Sequence, residues 1–309
     1  MTKKLDQLHN ELHELACAEA RKSFYAFVQL ISDVVLPEGF QDGEHIREIC
    51  AKLQEVEEGK CKRLMLFLPP RSSKSTLSQM FQAWCFGRRP TRQLMGVSYA
   101  MSLADSTSRT VRNLVASPEF KTVFPGVGIS LDTRASNRWK TLQGGIYNAA
   151  GITSGIAGKG AHIAVVDDPL SEQDAMSKTQ RDFVKKWYPG GLRTRLMPAG
   201  AIIIITTRWH EDDLAGWLLS EAEKSDRADQ WDVVEFPAIW TNEDGVEASY
   251  WPEWKPLEEL QQIRDDPTFP ASQWNALYQQ SPTPEEGSLI MRDYYSWWKE
   301  ETPLPECHT

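Results

Sequence analysis

Long apolar runs, paired cysteines and a secretory leader are all missing from this sequence, and each absence excludes a class of protein. No stretch approaches the roughly 18 consecutive apolar residues of a membrane-spanning helix, so an integral membrane protein is not expected. The opening MTKKLDQLHN has no apolar core after its lysines and does not fit a secretory signal. The five cysteines form no C-x-x-C pair, which fits a reducing compartment and gives no metal-binding spacing.

An excess of positive charge is missing as well. The 309 residues carry a formal net charge of -9. This balance argues against a protein that coats nucleic acid nonspecifically, although local basic patches stay compatible with it. The length is sufficient for one large domain or two small ones.

Strand and helix patterns alternate through the centre of the chain. The first sixty residues show the apolar spacing of helices, and RWKTLQGGIYNAAG indicates a hairpin-like pair of strands. Core strands are predicted for KRLMLFLPP, RQLMGVSYA, AHIAVVDDP and GAIIIITTRW, with helical segments between them. This alternation predicts an α/β fold in which helices flank a mostly parallel central sheet.

The composition changes after about residue 215, where tryptophan, proline and acidic residues become frequent. We therefore expect four parts. They are a helical N-terminal segment packed on the core (1–60), a core domain (61–215), a smaller subdomain (216–285) and a linker (286–309).

The stretch LPPRSSKST, residues 68 to 76, has the form of a phosphate-binding loop without its glycines. Leu68 and Ser73 occupy the two glycine places of G-x-x-x-x-G-K-[ST]. Lys74 would supply a positive charge to ATP phosphates, and Ser75 a hydroxyl for Mg²⁺. A left-handed Ser73 would cost roughly 1–2 kcal/mol relative to glycine. A Ser/Lys-rich turn that caps a helix remains the alternative. The predicted nucleotide contacts in this loop are Pro70, Arg71, Ser72, Ser73, Lys74, Ser75 and Thr76.

Two carboxylates follow the third core strand. Asp167 would hold the metal, and Asp168 would orient and deprotonate the attacking water, because ligands of open α/β sheets bind beyond the carboxyl ends of the strands. A glutamate is commoner in the second role, and a polar turn before Pro169 would also explain the pair. The loop and the acids together indicate a nucleoside triphosphatase.

The fourth strand ends in TTRWHEDDLAG. Thr206 and Thr207 would lie beside the phosphate loop, where they can sense the γ-phosphate. The acids after His210 suit the N-terminus of a following helix electrostatically, and His210 itself fits a packed turn residue.

Four segments carry a resemblance to a known family, in this order: PPRSSKST, GITSGIAGKGAHIAVVDDP, TTRWHEDDLAG and WNALYQQSPTPEEG. Through them, the chain resembles the large terminase subunit of tailed bacteriophages over about residues 40 to 290. The resemblance implies a P-loop ATPase of the additional-strand type with a lid subdomain. It also implies Mg²⁺-dependent ATP hydrolysis that drives double-stranded viral DNA into a procapsid. The implied partners are the DNA, a portal protein, the small terminase subunit and copies of the chain in a ring. The implied location is the host cytoplasm, with transient docking on the procapsid.

The resemblance also implies roles for single residues. Arg71 matches the arginine within the phosphate loop, and Thr206, Thr207 and Arg208 match the motif that couples hydrolysis to movement. The family joins its motor to an RNase H-like nuclease, for which too few residues follow YQQSPTPEEG, so nuclease activity is not expected in this chain.

The arginine that stabilises the γ-phosphate from a neighbouring subunit is left open among four candidates: Arg109, Arg112, Arg134 and Arg138. Arg134 and Arg138 come first, because they precede a strand pair that could form a sheet edge. DNA contacts are considered for Lys159, Lys185, Lys186, Arg193 and Arg195, with solvated surface charge as the alternative. A helicase-like ATPase and a weakly hydrolysing nucleotide-binding assembly module are the alternative functions.

Overall fold

The fold is known from a computed structural model that describes residues 2–36 and 38–283. The predicted linker, 286–309, lies outside the described residues. None of the helices in these ranges is long and apolar enough to cross a membrane.

Three helices form the N-terminal segment: α1 (Thr2–Ala20), α2 (Phe24–Ile31) and α3 (Glu44–Glu58). The chain breaks between the first two because Ser23 caps α2, its side chain accepting a hydrogen bond from the Ala26 N–H at 3.2 Å. The third ends at Gly59, whose φ of +81° suits a residue without a Cβ. Phe24 and Phe27 are fully buried in the core.

The central sheet has eight strands in the order β3-β4-β5-β2-β6-β7-β1-β8. Their bounds are β1 (Arg63–Phe67), β2 (Gln93–Ser98), β3 (Ile129–Arg134), β4 (Arg138–Thr141), β5 (Ile146–Gly151), β6 (Ala161–Asp167), β7 (Leu196–Thr206) and β8 (Asp232–Glu235). Only the β3–β4 and β4–β5 pairs in this sheet are antiparallel. The mostly parallel sheet is therefore confirmed, and so is the hairpin-like pair, which is β4 with β5. The edge of the sheet is formed by β3 and not by this pair.

Helices cover both faces of the sheet. They are α4 (Lys74–Arg88), α5 (Met101–Ala116), α6 (Pro118–Val123), α7 (Glu172–Met176), α8 (Lys178–Trp187), α9 (Leu214–Lys224), α10 (Leu257–Asp265) and α11 (Ala271–Leu277). One apolar core joins the N-terminal helices and α4 to one face, and a second joins α8 and α9 to the other. Strand β7 is so rich in isoleucine because both of its faces are buried.

The central sheet continues beyond residue 215, where the sequence predicted the core domain to end. Strand β8 pairs in parallel with β1, from Leu64↔Asp232 to Phe67↔Glu235. Its sequence, DVVE, was not recognisable as a core strand because it lies at the edge and buries only Val234. A small antiparallel pair follows, β9 (Ile239–Thr241) with β10 (Glu247–Ser249). The division into four parts otherwise remains a prediction.

Candidate nucleotide-binding site

The ends of three adjacent strands bring the predicted loop and acids together. Strand β7 lies between β1 and β6, and Ile205 is opposite both Leu66 and Asp167. The phosphate loop after β1, Asp168 after β6 and Thr207 after β7 therefore leave the sheet at the same edge.

The loop between β1 and α4 contains two residues in the left-handed backbone region. Arg71 has φ +63° and Ser73 has φ +60°. Between them, Ser72 is fully buried, and its hydroxyl donates a hydrogen bond to the Pro69 carbonyl at 2.8 Å. Ser73 thus adopts the conformation expected of the missing glycine, and such strain in non-glycine residues is typical of functional loops.

Replacing Ser73 by glycine should stabilise the protein. The left-handed penalty of Ser73 disappears, while the extra flexibility of glycine in the unfolded chain offsets part of the gain. We expect a rise of about 0.5–1 kcal/mol in the free energy of unfolding, measured by denaturant titration. The matched control is Ser72→Gly, at a position without positive φ, which should destabilise by about 1 kcal/mol because a buried hydrogen bond is lost. A destabilised Ser73→Gly variant would contradict this account of the loop.

Lys74 lies between the loop and the end of β7. Its Nζ donates hydrogen bonds to the Leu68 carbonyl at 3.4 Å and to the Thr207 hydroxyl. Burial lowers the pKa of Lys74, and the charges of Asp168 and Asp167 oppose that shift. The ammonium group therefore faces both acids and Thr207 at the expected phosphate position.

Asp167 is suited to hold a metal ion. Its Oδ1 is buried and accepts no hydrogen bond from any described residue. Burial first, and then the charge of Asp168, raise the pKa of Asp167 to about 7, while the Ser75 hydroxyl and Lys74 lower it. Such a carboxylate gains from a nearby cation, and the Ser75 hydroxyl supplies a second oxygen. No group of three or more His, Cys, Asp or Glu residues that could hold a metal occurs in the described ranges. Mg²⁺ bound through one carboxylate, a hydroxyl and substrate phosphates needs no such group.

Asp168 has a different environment from its neighbour. It has φ +48°, and its N–H donates to the Ile205 carbonyl at 2.9 Å, which continues the pairing with β7 by one residue. Its carboxylate accepts a hydrogen bond of 3.4 Å from the Thr207 N–H. Burial raises the pKa of Asp168, while Lys74 and this hydrogen bond lower it. The two carboxylates thus have different partners: the Ser75 hydroxyl for Asp167 and the Thr207 N–H for Asp168.

Arg208 connects this edge of the sheet with the end of the described chain. Its Nε donates to Asp213 at 2.9 Å, and its guanidinium lies 5.0 Å from the Phe67 ring centroid. Its backbone N–H donates to the Gln280 side-chain carbonyl at 3.4 Å. Asp213 also caps α9, whereas the two acids before it precede the helix and its first turn contains no acid. The helix-terminus role expected of all three acids therefore applies to Asp213 alone. No local sequence pattern indicates that Gln280 contacts Arg208, which lies 72 positions earlier in the chain.

A cavity of about 340 Å³ opens beside the loop. One wall consists of loop residues from Arg71 to Leu77, and the other comes from the N-terminal segment and the region after β10. The residues of this second wall include Leu36, Phe40, Gln41, Ile46, Trp251 and Trp254. They were not predicted as site residues, because they come from two distant parts of the chain and only their aromatic character is visible in the sequence.

The two arginines predicted first to act from a neighbouring subunit lie on strands far from the loop. Strand β4, which carries the exposed Arg138, is separated from β1 by four strands, or roughly 24 Å at the usual strand spacing. Strand β3, which ends at Arg134, is one strand farther away.

The predicted basic DNA surface is partly neutralised. Lys185 pairs with Asp212, and Arg193 with Asp229 at 3.1 Å.

The extra strand β7 between the phosphate-loop strand and the acidic strand defines a P-loop ATPase fold of the additional-strand type, as predicted. Three solved structures share this fold. The large terminase of bacteriophage HK97 is 12% identical, with a TM-score of 0.51, and the match covers 79% of this chain and 51% of that one. The chain thus spans about half the length of that terminase.

Two structures of the large terminase ATPase domain of Thermus phage P74-26 match over nearly their whole length. The first, an arginine-to-alanine mutant, is 15% identical with a TM-score of 0.51, and the match covers 79% of this chain and 95% of that one. The second is 12% identical with a TM-score of 0.51, and the match covers 82% of this chain and 99% of that one. No protein-family model and no curated protein matches this chain. The resemblance to terminase ATPase domains is therefore confirmed at the level of the fold.

Proposed function

We propose that this protein is the ATPase of a motor that packages double-stranded DNA into a viral procapsid. The observation that carries the proposal is the meeting of Lys74, Asp167, Asp168 and Thr207 at the ends of β1, β6 and β7. The fold shared with phage terminase ATPase domains supports DNA packaging as the work that the hydrolysis drives.

The loop binds the phosphates of the nucleotide, and the cavity beside it binds the base. Backbone N–H groups at the start of α4 would bind the phosphates, and Lys74 would exchange its contacts with Leu68 and Thr207 for phosphate oxygens. The aromatic and apolar side chains of the second cavity wall suit the base.

Ser75 and Asp167 would hold Mg²⁺, which supplies positive charge to the phosphate oxygens when bound. Asp168 accepts a proton from the attacking water, and the Thr207 N–H holds its carboxylate in place. Arg71, exposed on the loop, adds a positive charge beside the phosphates. Loss of the γ-phosphate frees Lys74 to return to Thr207, and Arg208 passes that change to Gln280.

The proposal extends to the assembly. A packaging motor acts on double-stranded DNA in the host cytoplasm, as a ring of copies docked on a portal protein, and receives DNA from a small terminase subunit. These partners rest on the resemblance of motifs and fold.

The division of roles between the two acids tests the proposal. Asp167→Ala should remove the Mg²⁺ dependence of ATP binding, because Asp167 would be the protein's carboxylate ligand. Asp168→Asn should leave binding near wild type and slow hydrolysis by about a hundredfold or more, the usual effect of losing a general base. Equilibrium titration with ATP, with and without Mg²⁺, and steady-state turnover measure the two effects. Asp226→Asn, at an exposed position, is the matched control. Equal losses of binding in both variants would refute this assignment.

One alternative is favoured by a specific observation. Asp168 is shorter than the usual glutamate, which suits a nucleotide-binding assembly module that hydrolyses little. If the wild-type protein turned over ATP no faster than the Asp168→Asn variant, this alternative would be established.

A further inference from the structure

A second cavity, of about 220 Å³, lies at the opposite edge of the sheet from the phosphate loop. Lys62 directly precedes β1, Arg92 directly precedes β2, and His162 is the second residue of β6. Because these strands are parallel, the three residues share the edge where the strands begin. The five residues of β1 separate this edge from the phosphate loop by roughly 17 Å. The cavity is therefore distinct from the nucleotide site.

The lining of this cavity is positively charged. Lys62, Arg89 and Arg92 contribute to it, and none of the described residues that line it is a carboxylate. Lys62 forms no ion pair with any acid in the described ranges. The charged side chains that line the cavity are therefore all positive. One acid outside the lining, Asp232, lies beside the lining residue Cys61, whose thiol pKa is raised first by burial and then by Asp232.

A buried carboxylate outside the lining, Glu57, is shared by three guanidinium groups. It is fully buried, and its oxygens lie 3.4 Å from Arg88, 3.1 Å from Arg89 and 3.6 Å from Arg92. One negative charge therefore faces three positive charges, and this cluster keeps an excess of two before Lys62 is added. Burial lowers the pKa of Arg92, and the neighbouring arginines add to that shift.

His162 adds a hydrogen-bond donor to the lining. Its Nδ1 accepts a hydrogen bond from the Gln93 N–H at 3.1 Å, so the neutral ring carries its proton on Nε2. Burial, and then the charge of Arg92, lower the pKa of His162 and keep the ring neutral near pH 7.

We propose that this cavity binds a phosphate group, through Lys62, Arg89 and Arg92 with His162 as a further donor. The phosphate comes either from a free anion or from a nucleic-acid backbone, since both present the same oxygens. If the arginines served only to attach α3 to α4 around Glu57, neither the unpaired Lys62 nor a cavity lined by cations would be explained. The proposal does not rest on ATP hydrolysis, so the two can fail separately.

The test follows the ring resonances of His162 in the full chain during titration with inorganic phosphate at constant ionic strength. We expect a saturable shift, and we expect Lys62→Gln and Arg89→Gln each to weaken the apparent affinity about tenfold, because each removes a charged hydrogen bond. Lys60→Gln is the matched control, because Lys60 is exposed, is paired with Glu58 at 2.7 Å and does not line the cavity. Lys74→Ala should leave the titration unchanged, which shows that the phosphate loop is not responsible.

A second titration, with a short DNA duplex, distinguishes the two sources of phosphate. A His162 shift with DNA that inorganic phosphate reverses, and that Lys62→Gln weakens, identifies the nucleic-acid backbone. A shift with inorganic phosphate alone identifies a free anion. The proposal is overturned if neither titrant gives a saturable shift, or if Lys62→Gln and Arg89→Gln both bind phosphate like the wild type. Because Lys62 and Arg89 are exposed, these variants do not depend on the tolerance of the buried Arg92 to substitution.

Discussion

Replacing Lys74 by alanine should abolish ATP turnover and leave the protein folded. The Nζ of Lys74 forms hydrogen bonds only with the Leu68 carbonyl and the Thr207 hydroxyl among the described residues, both at the end of the sheet where the phosphates are expected. Burial lowers the pKa of this lysine, so its charge is held at a free-energy cost that the core does not require. The charges of Asp168 and Asp167 support the ammonium form, so Lys74 belongs to the polar cluster at this edge of the sheet and not to the apolar core.

Steady-state turnover and far-ultraviolet circular dichroism measure the two parts of this expectation. The variant should lose measurable phosphate release while its thermal unfolding temperature stays within a few degrees of the wild type. Lys178→Ala is the matched control, because Lys178 is 78% exposed and pairs only with Asp182 on its own helix. Normal hydrolysis by Lys74→Ala would show that the loop after β1 is not the phosphate site.

The sequence predicted those parts of the site that depend on a single strand and the turn after it. Lys74 follows an apolar strand and opens a helix, and Asp167 ends another strand. In a parallel sheet such ends lie at one edge whatever the strand order, so a shared edge could be expected from the sequence. Their closeness depends on the strand order, which places only β7 between β1 and β6. The left-handed conformation of Ser73 could be anticipated for the same reason, since it stands in the place of a glycine that the loop requires.

Features that depend on long-range packing were not predictable. The contact between Arg208 and Gln280, and the cavity wall formed by Phe40, Trp251 and Trp254, join segments that no local pattern relates. Strand β8 was missed because an edge strand buries few side chains and so lacks an apolar pattern. The pairing of Lys185 with Asp212 shows why a run of basic residues in the sequence overstates the charge of a surface.

Bringing copies of the chain together should raise the rate of ATP hydrolysis per subunit. The chain carries a net charge of -9, so its copies repel each other, and we expect a mostly monomeric, slow ATPase in dilute solution. In related chemistry, an arginine that reaches the γ-phosphate from a neighbouring subunit accelerates hydrolysis by roughly 10³–10⁵. A high protein concentration or docking on a portal should supply that neighbour.

Arg138 is the first candidate for this arginine. It is exposed on β4, close to the edge of the sheet, and four strands separate it from the phosphate-loop strand of its own subunit. It is therefore poorly placed to act on its own nucleotide and well placed to reach a neighbour's. Arg134, at the end of the edge strand β3, is the second candidate.

Turnover per subunit, measured against protein concentration and against added portal, tests this expectation. Arg138→Ala should remove the increase in ATP turnover per subunit that a higher concentration or added portal produces. It should not change the basal rate of the monomer, and Arg134→Ala is tested in the same way. Lys140→Ala, on the same strand as Arg138, is the matched control for a change of surface charge. A rate that depends on neither concentration nor portal, together with no loss in either arginine variant, would mean that hydrolysis is completed within one subunit. Arg71, exposed on the phosphate loop with φ +63°, would then be the arginine that stabilises the γ-phosphate.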